Sequence, residues 1–112
     1  MTYRAGVIGC GRMAGTIDDE IQWAHNDFIL PYGHANGYAA LSEVELVAAA
    51  DTVPDKLESW CHRFAVPGRY TDYREMLAAE ALDVVSVTTP AHARAQPLLH
   101  AAEAGVRGIY AE

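Results

Sequence analysis

Four apolar runs punctuate the chain, and segments with helical spacing separate them. Residues 3–9 (YRAGVIG) form a short run ending in glycine, as a buried strand entering a tight turn does. Residues 44–51 (VELVAAAD) end in an acid, residues 82–89 (LDVVSVTT) are rich in β-branched side chains, and residues 106–112 (VRGIYAE) make a fourth run. A short strand over 69–71 is expected between the second and third. The second and third runs are nearly continuous in apolar character rather than alternating, which marks strands covered on both faces.

Helices are predicted in the intervals. Residues 54–64 carry a proline near the start, where a missing N–H is harmless, and Leu57, Trp60, Cys61 and Phe64 recur on one face. Residues 72–75 (DYRE) have capping-box spacing and open a helix through about Glu80. Residues 93–104 run into Gly105, a suitable residue just past a helix end. Pro97 is tolerable only in the first turn, so that helix starts no earlier than about Ala93. Residues 34–41 suit another helix. The order β-α-β-α-β-α-β predicts one α/β domain on an open parallel sheet with right-handed crossovers. Residues 16–33 mix acids, aromatics and a proline without a sustained period, and are expected to be an insertion that interrupts the first crossover helix.

The strand-to-helix turns carry the candidate chemistry. Gly9-Cys10-Gly11-Arg12-Met13-Ala14 follows the first run with the pattern G-x-G-x-x-A. The first glycine permits a tight turn, the second lets backbone approach a pyrophosphate, and the small third residue packs helix on strand. The free N–H groups and dipole of the following helix would then face the phosphates. A glycine triplet alone also suits a purely structural turn, but a strand before it and a helix signal after it favour a dinucleotide-binding Rossmann fold. Asp51 ends the second run, where an acid accepts hydrogen bonds from the adenosine ribose; its alternative role is to cap the next helix. The usual separation from the glycines is about 20 residues, and the insertion accounts for most of the extra length here. A carboxylate there favours NAD over NADP, with Lys56 the nearby cation. Thr88-Thr89-Pro90-Ala91-His92 ends the third run, where it either lines the nicotinamide path or serves only as a helix start.

Composition narrows the partners. The 112 residues are 51% apolar, enough for a globular core, and the net charge of −7 comes without any basic cluster. Nucleic acid and anionic membrane surfaces are therefore not expected partners. No signal peptide is visible and no apolar run approaches the roughly 20 residues that span a bilayer, so a cytoplasmic protein is expected. Cys10 and Cys61 form no C-x-x-C pair and read as reduced thiols unless the fold joins them. Cys10 is either a space-filling residue or a point where oxidation blocks the turn. His25, His34, His62 and His100 lack metal-ligand spacing, and His62 and His100 are expected on helix surfaces. Asp18, Asp19 and Glu20 suit a solvated loop or an acidic lip. Trp23, Phe28 and Tyr32 pack the insertion down or contact another subunit.

Taken together, VIGCGRMA, HANGYAAL, VELVAAAD, YTDYREML, DVVSVTTPAH and AAEAGVRGIYAE resemble the N-terminal domain of the glucose–fructose oxidoreductase/inositol dehydrogenase (Gfo/Idh/MocA) family. The resemblance covers nearly all of the chain except 16–33. It implies that Gly9, Gly11, Arg12 and Met13 hold the pyrophosphate of NAD and that Asp51 binds the adenosine ribose. It places Thr89, Pro90 and His92 along the nicotinamide side and Glu112 near the nicotinamide ribose. Two positions depart from the family pattern: Ala91 replaces its asparagine and Arg94 its second histidine. Family members continue past the position of Glu112 into a catalytic lysine, a proline and an α/β substrate domain with an acid/base histidine. That domain also carries subunit contacts, so a homo-oligomer is implied. The resemblance thus implies a parent oxidoreductase moving hydride between a sugar or polyol and the nicotinamide. The 112 residues are expected to be inactive alone and to self-associate or be marginally stable. The alternative is a non-catalytic NAD(H)-sensing module of the same fold.

Overall fold

The computed structural model describes residues 2–16 and 33–112. The features expected within 17–32, among them Asp18, Asp19, Glu20, Trp23, His25, Phe28 and Tyr32, lie outside the described residues. Five strands form one parallel sheet: β1 (Tyr3–Ile8), β2 (Val44–Ala50), β3 (Gly68–Tyr70), β4 (Val84–Val87) and β5 (Gly108–Ala111), in the order β3-β2-β1-β4-β5. The helices are α1 (His34–Ala39), α2 (Pro54–Phe64), α3 (Tyr73–Ala79) and α4 (Ala95–Glu103). This is the Rossmann arrangement, with the strand order reversing between β1 and β4. Among the described residues, no helix is long and apolar enough to cross a membrane.

Two cores, one on each face, explain the apolar runs. The first joins Ala5, Val7 and Ala49 to Ala35 and Tyr38 of α1 and to Leu57, Trp60 and Cys61 of α2. The second joins Ile8, Ala48, Ala50, Val85 and Val87 to Met76 of α3, with Leu98 of α4 packed against it. Helices thus switch faces where the strand order reverses. Central strands sandwiched this way need small or apolar side chains at nearly every position, and Ala48 and Ala49 are completely buried.

One irregularity aims the end of β2. The pairing of β1 with β2 steps from Ala5↔Leu46 to Gly6↔Ala48, so Val47 has no partner across the ladder. Val47 and Ala48 therefore both enter the second core, and alternation restarts one residue late. A one-residue slip turns every later side chain to the opposite face. The bulge consequently delivers Asp51 to the side occupied by the turn that follows β1.

Local signals hold with three adjustments. Asp72 caps α3 as expected, its carboxylate accepting the Arg74 N–H at 2.9 Å, and Gly105 follows α4 with φ +84°. The helix expected over 93–104 instead begins at Ala95, after a 3-10 turn (Ala91–Ala93) closed by the Ala93 N–H on the Pro90 carbonyl at 2.9 Å. Buried Pro97 sits in the first turn of α4. After β1, the described helical segment is a five-residue π-helical turn, Arg12–Thr16. Third, His100 is not a free surface residue: its ring stacks on Tyr73, with Nδ1 2.6 Å from the Tyr73 hydroxyl.

Gly15 and Gly33, on either side of residues 17–32, stand close together. A Cβ added at Gly33 would stand 2.8 Å from the Gly15 Cα, and one added at Gly15 would run into the Phe64 ring. Gly37, in the middle of α1, faces open space, with nothing within 4 Å of where its Cβ would be. Gly15→Ala is expected to lower stability by about 1–3 kcal/mol through overpacking. Gly37→Ala is expected to raise it by roughly 0.5–1 kcal/mol, by removing helical glycine entropy. Urea unfolding of both variants measures the opposite signs.

Candidate functional site

The glycine turn after β1 is fastened on both sides. Gly9 has φ +96°, and a Cβ there would lie 3.0 Å from the Thr88 carbonyl carbon and the Thr89 nitrogen. A side chain is thus excluded by conformation and by space. The Gly9 N–H donates to the Ala50 carbonyl at 2.8 Å, and the Cys10 N–H donates to Asp51 Oδ2 at 2.8 Å. From the β4 side, the Thr88 hydroxyl donates to the Gly9 carbonyl at 2.5 Å. Nothing approaches within 4 Å of where a Gly11 Cβ would be, so backbone is laid open there.

A cleft of about 900 Å³ crosses the carboxyl ends of the central strands in front of this turn. Gly9, Gly11, Met13, Asp51, Thr89, Pro90, His92 and Glu112 all line it, bringing together residues spread over the whole sequence. Arg12 lies in the π-helical turn between Gly11 and Met13. In open α/β sheets, ligands bind at this crevice, outside the strand ends at the topological switch point.

Asp51 is the most constrained of these side chains, with 8% of its side chain exposed. Besides Cys10, the Val53 N–H donates to Oδ1 at 2.9 Å, and the Lys56 ammonium stands 3.7 Å from Oδ2. Charge-assisted bonds of this kind contribute about 1.5–3 kcal/mol each. Two carboxylate oxygens offer about four acceptor directions, so acceptor capacity is left over. Val53, not Asp51, occupies the N-cap of α2, and the plain capping role is not the one observed.

Thr89 does not cap α4 either. Its hydroxyl donates to the Ala93 carbonyl at 2.9 Å and pins the 3-10 turn, which leaves Pro90 and His92 exposed along the cleft. Arg94 holds the N-cap of α4 without a capping bond.

One connected group has no counterpart among the sequence motifs. Ser86, completely buried in β4, lies 2.5 Å from the Tyr38 hydroxyl and 2.7 Å from His34 Nδ1. His34 Nε2 in turn lies 2.7 Å from Glu112 Oε2. A serine inside an apolar run has to find polar partners somewhere, and His34 and Tyr38 stand one helical turn apart on α1. That is the signal the sequence carries for it.

The sequence profile of the Gfo/Idh/MocA oxidoreductases, described as having an NAD-binding Rossmann fold, matches residues 3–110. The chain belongs to this family. Solved structures similar to it include scyllo-inositol dehydrogenase from Lactobacillus casei with NAD(H) and scyllo-inositol (22% identity, TM-score 0.74, 99% of this chain and 28% of that one). An oxidoreductase from Agrobacterium radiobacter with NAD+, L-tartaric acid and magnesium is 20% identical (TM-score 0.74, 98% and 27%). The WlbA dehydrogenase from Bordetella pertussis with NADH and UDP-GlcNAcA is 22% identical (TM-score 0.72, 99% and 28%). At such identities the likeness establishes the fold, and the chain spans just over a quarter of the length of these structures. No curated protein sequence matches it.

In this Gfo/Idh/MocA domain the two thiols are buried and free. Cys10 belongs to the first core, with its sulfur 3.8 Å from the Ala50 carbonyl, and so fills space behind the turn. Burial pushes the Cys10 thiol up and raises Cys61 from 9.0 to about 11; burial likewise raises Tyr38 above its ordinary value of 10.0. All three shifts favour the protonated form in the folded state. Their stabilisation is complete below pH 9 and is lost as pH rises through about 11 for Cys61. The melting temperature is therefore expected to fall between pH 9 and 11, and both thiols should resist iodoacetamide at pH 8 until urea unfolds the chain. Rapid labelling of the native chain, read by mass spectrometry, would contradict the burial assignment.

Proposed function

We propose that this chain is the cofactor-binding part of an NAD-dependent oxidoreductase acting on a sugar, polyol or related alcohol. The observation that carries the reading is the cleft, where Asp51 and the open backbone at Gly11 stand on either side of one fastened turn. The residues suit the dinucleotide. Gly11, Arg12 and Met13 offer backbone to the pyrophosphate where no Cβ intrudes, and the spare acceptor directions of Asp51 receive the adenosine ribose hydroxyls.

With Asp51 at β2 taking the adenosine half, Thr89, Pro90, His92 and Glu112, at the ends of β4 and β5, would hold the nicotinamide half. The bound cofactor supplies hydride donor or acceptor chemistry, while these residues orient it and cover one side. Proton transfer at the substrate hydroxyl falls to the lysine and histidine that the family supplies beyond this domain. Sugar-type ligands in the similar structures, inositol and UDP-GlcNAcA, support the substrate class.

Asp51 repels a 2′-phosphate, and Lys56 offsets part of that repulsion. NADH is expected to bind more tightly than NADPH in calorimetric titrations. Asp51→Ala should weaken NADH about tenfold or more and erase the preference, because it removes a charge-assisted acceptor. Lys56→Ala should widen the preference. Equal selectivity in wild type and Asp51→Ala would overturn the ribose assignment, and a folded chain that binds neither nucleotide would overturn the function.

A further inference from the structure

We propose that His34 is a positioning residue for the nicotinamide end of the site, acting through the Glu112 carboxylate. The inference rests on the dinucleotide reading above and adds to it a residue outside the glycine turn and the strand-end loops.

Backbone and side chain of Glu112 are held by different elements. The Glu112 N–H donates to the Val87 carbonyl at 3.0 Å, extending the β4–β5 ladder to the rim of the cleft. The ladder fixes the backbone only. The Glu112 side chain is 49% exposed, and its carboxylate lies 2.7 Å from His34 Nε2. His34 reaches this carboxylate from α1, with its own side chain only 12% exposed. The Tyr110 ring stands edge-on to it at 6.2 Å and 82°.

Donor counting sets the direction of the chain. Tyr38 and Ser86 each have one hydroxyl proton, and Ser86 is the one hydrogen-bond partner of the Tyr38 hydroxyl among the described residues. Tyr38 therefore donates to Ser86, and Ser86 donates to His34 Nδ1. The remaining ring proton sits on Nε2 and points to Glu112, the one member that needs a donor. Every group is satisfied in this arrangement. With the proton on Nδ1 instead, Nε2 would face a carboxylate with no hydrogen between them, and one of the two buried hydroxyl protons would lack an acceptor.

The relay is therefore anchored in the core and ends at the cleft. A long carboxylate that must be immobilised on binding costs affinity, and holding it in place beforehand removes that cost. Sequence separations of 52 and 78 residues between His34 and its two partners mean that the fold, not local geometry, builds this contact.

A double-mutant cycle on this chain tests the proposal, using NADH and ADP as calorimetric probes; ADP lacks the nicotinamide ribose. His34→Phe is expected to weaken NADH about 3- to 10-fold, to leave ADP affinity unchanged, and to have no further effect when Glu112→Ala is already present. Equal losses for NADH and ADP, or losses that multiply in the double variant, would overturn it. Should His34→Phe fail to fold, histidine 15N spectra of the unaltered chain decide. The expected result is a proton on Nε2 of His34, with a signal that moves on adding NADH and not on adding ADP. A proton on Nδ1, or no response to NADH, contradicts the proposal. Wild-type chain that binds neither probe would instead overturn the dinucleotide reading itself.

Discussion

The hydrogen bond from the Cys10 N–H to the Asp51 carboxylate is the constraint on which this site depends. It joins the turn after β1 to the end of β2 at the cleft that both line. A carboxylate buried this far is stable only with donors around it, and the Cys10 and Val53 amides and the Lys56 ammonium provide them. The geometry is reached only because β2 carries a bulge at Val47. Without it Asp51 would emerge on the opposite face, behind the turn it now fastens.

Packing and chemistry are linked through the same strands. β1 and β4 sit at the centre of the sheet, where helices change faces, and small residues let both cores close on them. The cleft opens at that point. Thr88 at the end of β4 binds the glycine turn from the second side, so the turn cannot shift without disturbing two strands. The buried Ser86, two residues earlier on β4, faces the other way from Val85 and Val87 and links the first core to the rim. One strand thereby serves the glycine turn with its end and Glu112 with its interior.

Much of this is legible in the residues alone, because it is local. The four apolar runs mark β1, β2, β4 and β5, Pro54 and Asp72 mark helix starts, and Gly9 and Gly11 mark the turn. Asp51 is legible as the acid that ends the second run, and it stands at the cleft beside the glycine turn. The helix starting at Ala95 lies two residues beyond its expected start, because the bond from Ala93 to Pro90 competes with helix at that point. The π-helical form of Arg12–Thr16 leaves no mark in the residue pattern. His34, Tyr38 and Ser86 are not legible as a group because their contacts span 48 residues or more, so no local pattern brings them together. The bulge at Val47 is equally silent, since VELVAAAD reads the same with or without it.

The most direct test of the account is an amide chemical-shift titration of the 15N-labelled chain with NADH. Saturable shifts are expected at the amides of Cys10, Gly11 and Val53, which surround the Asp51 carboxylate and the open turn. Saturable binding that leaves those three amides unmoved, with shifts confined to the outer surfaces of α3 and α4, would contradict it.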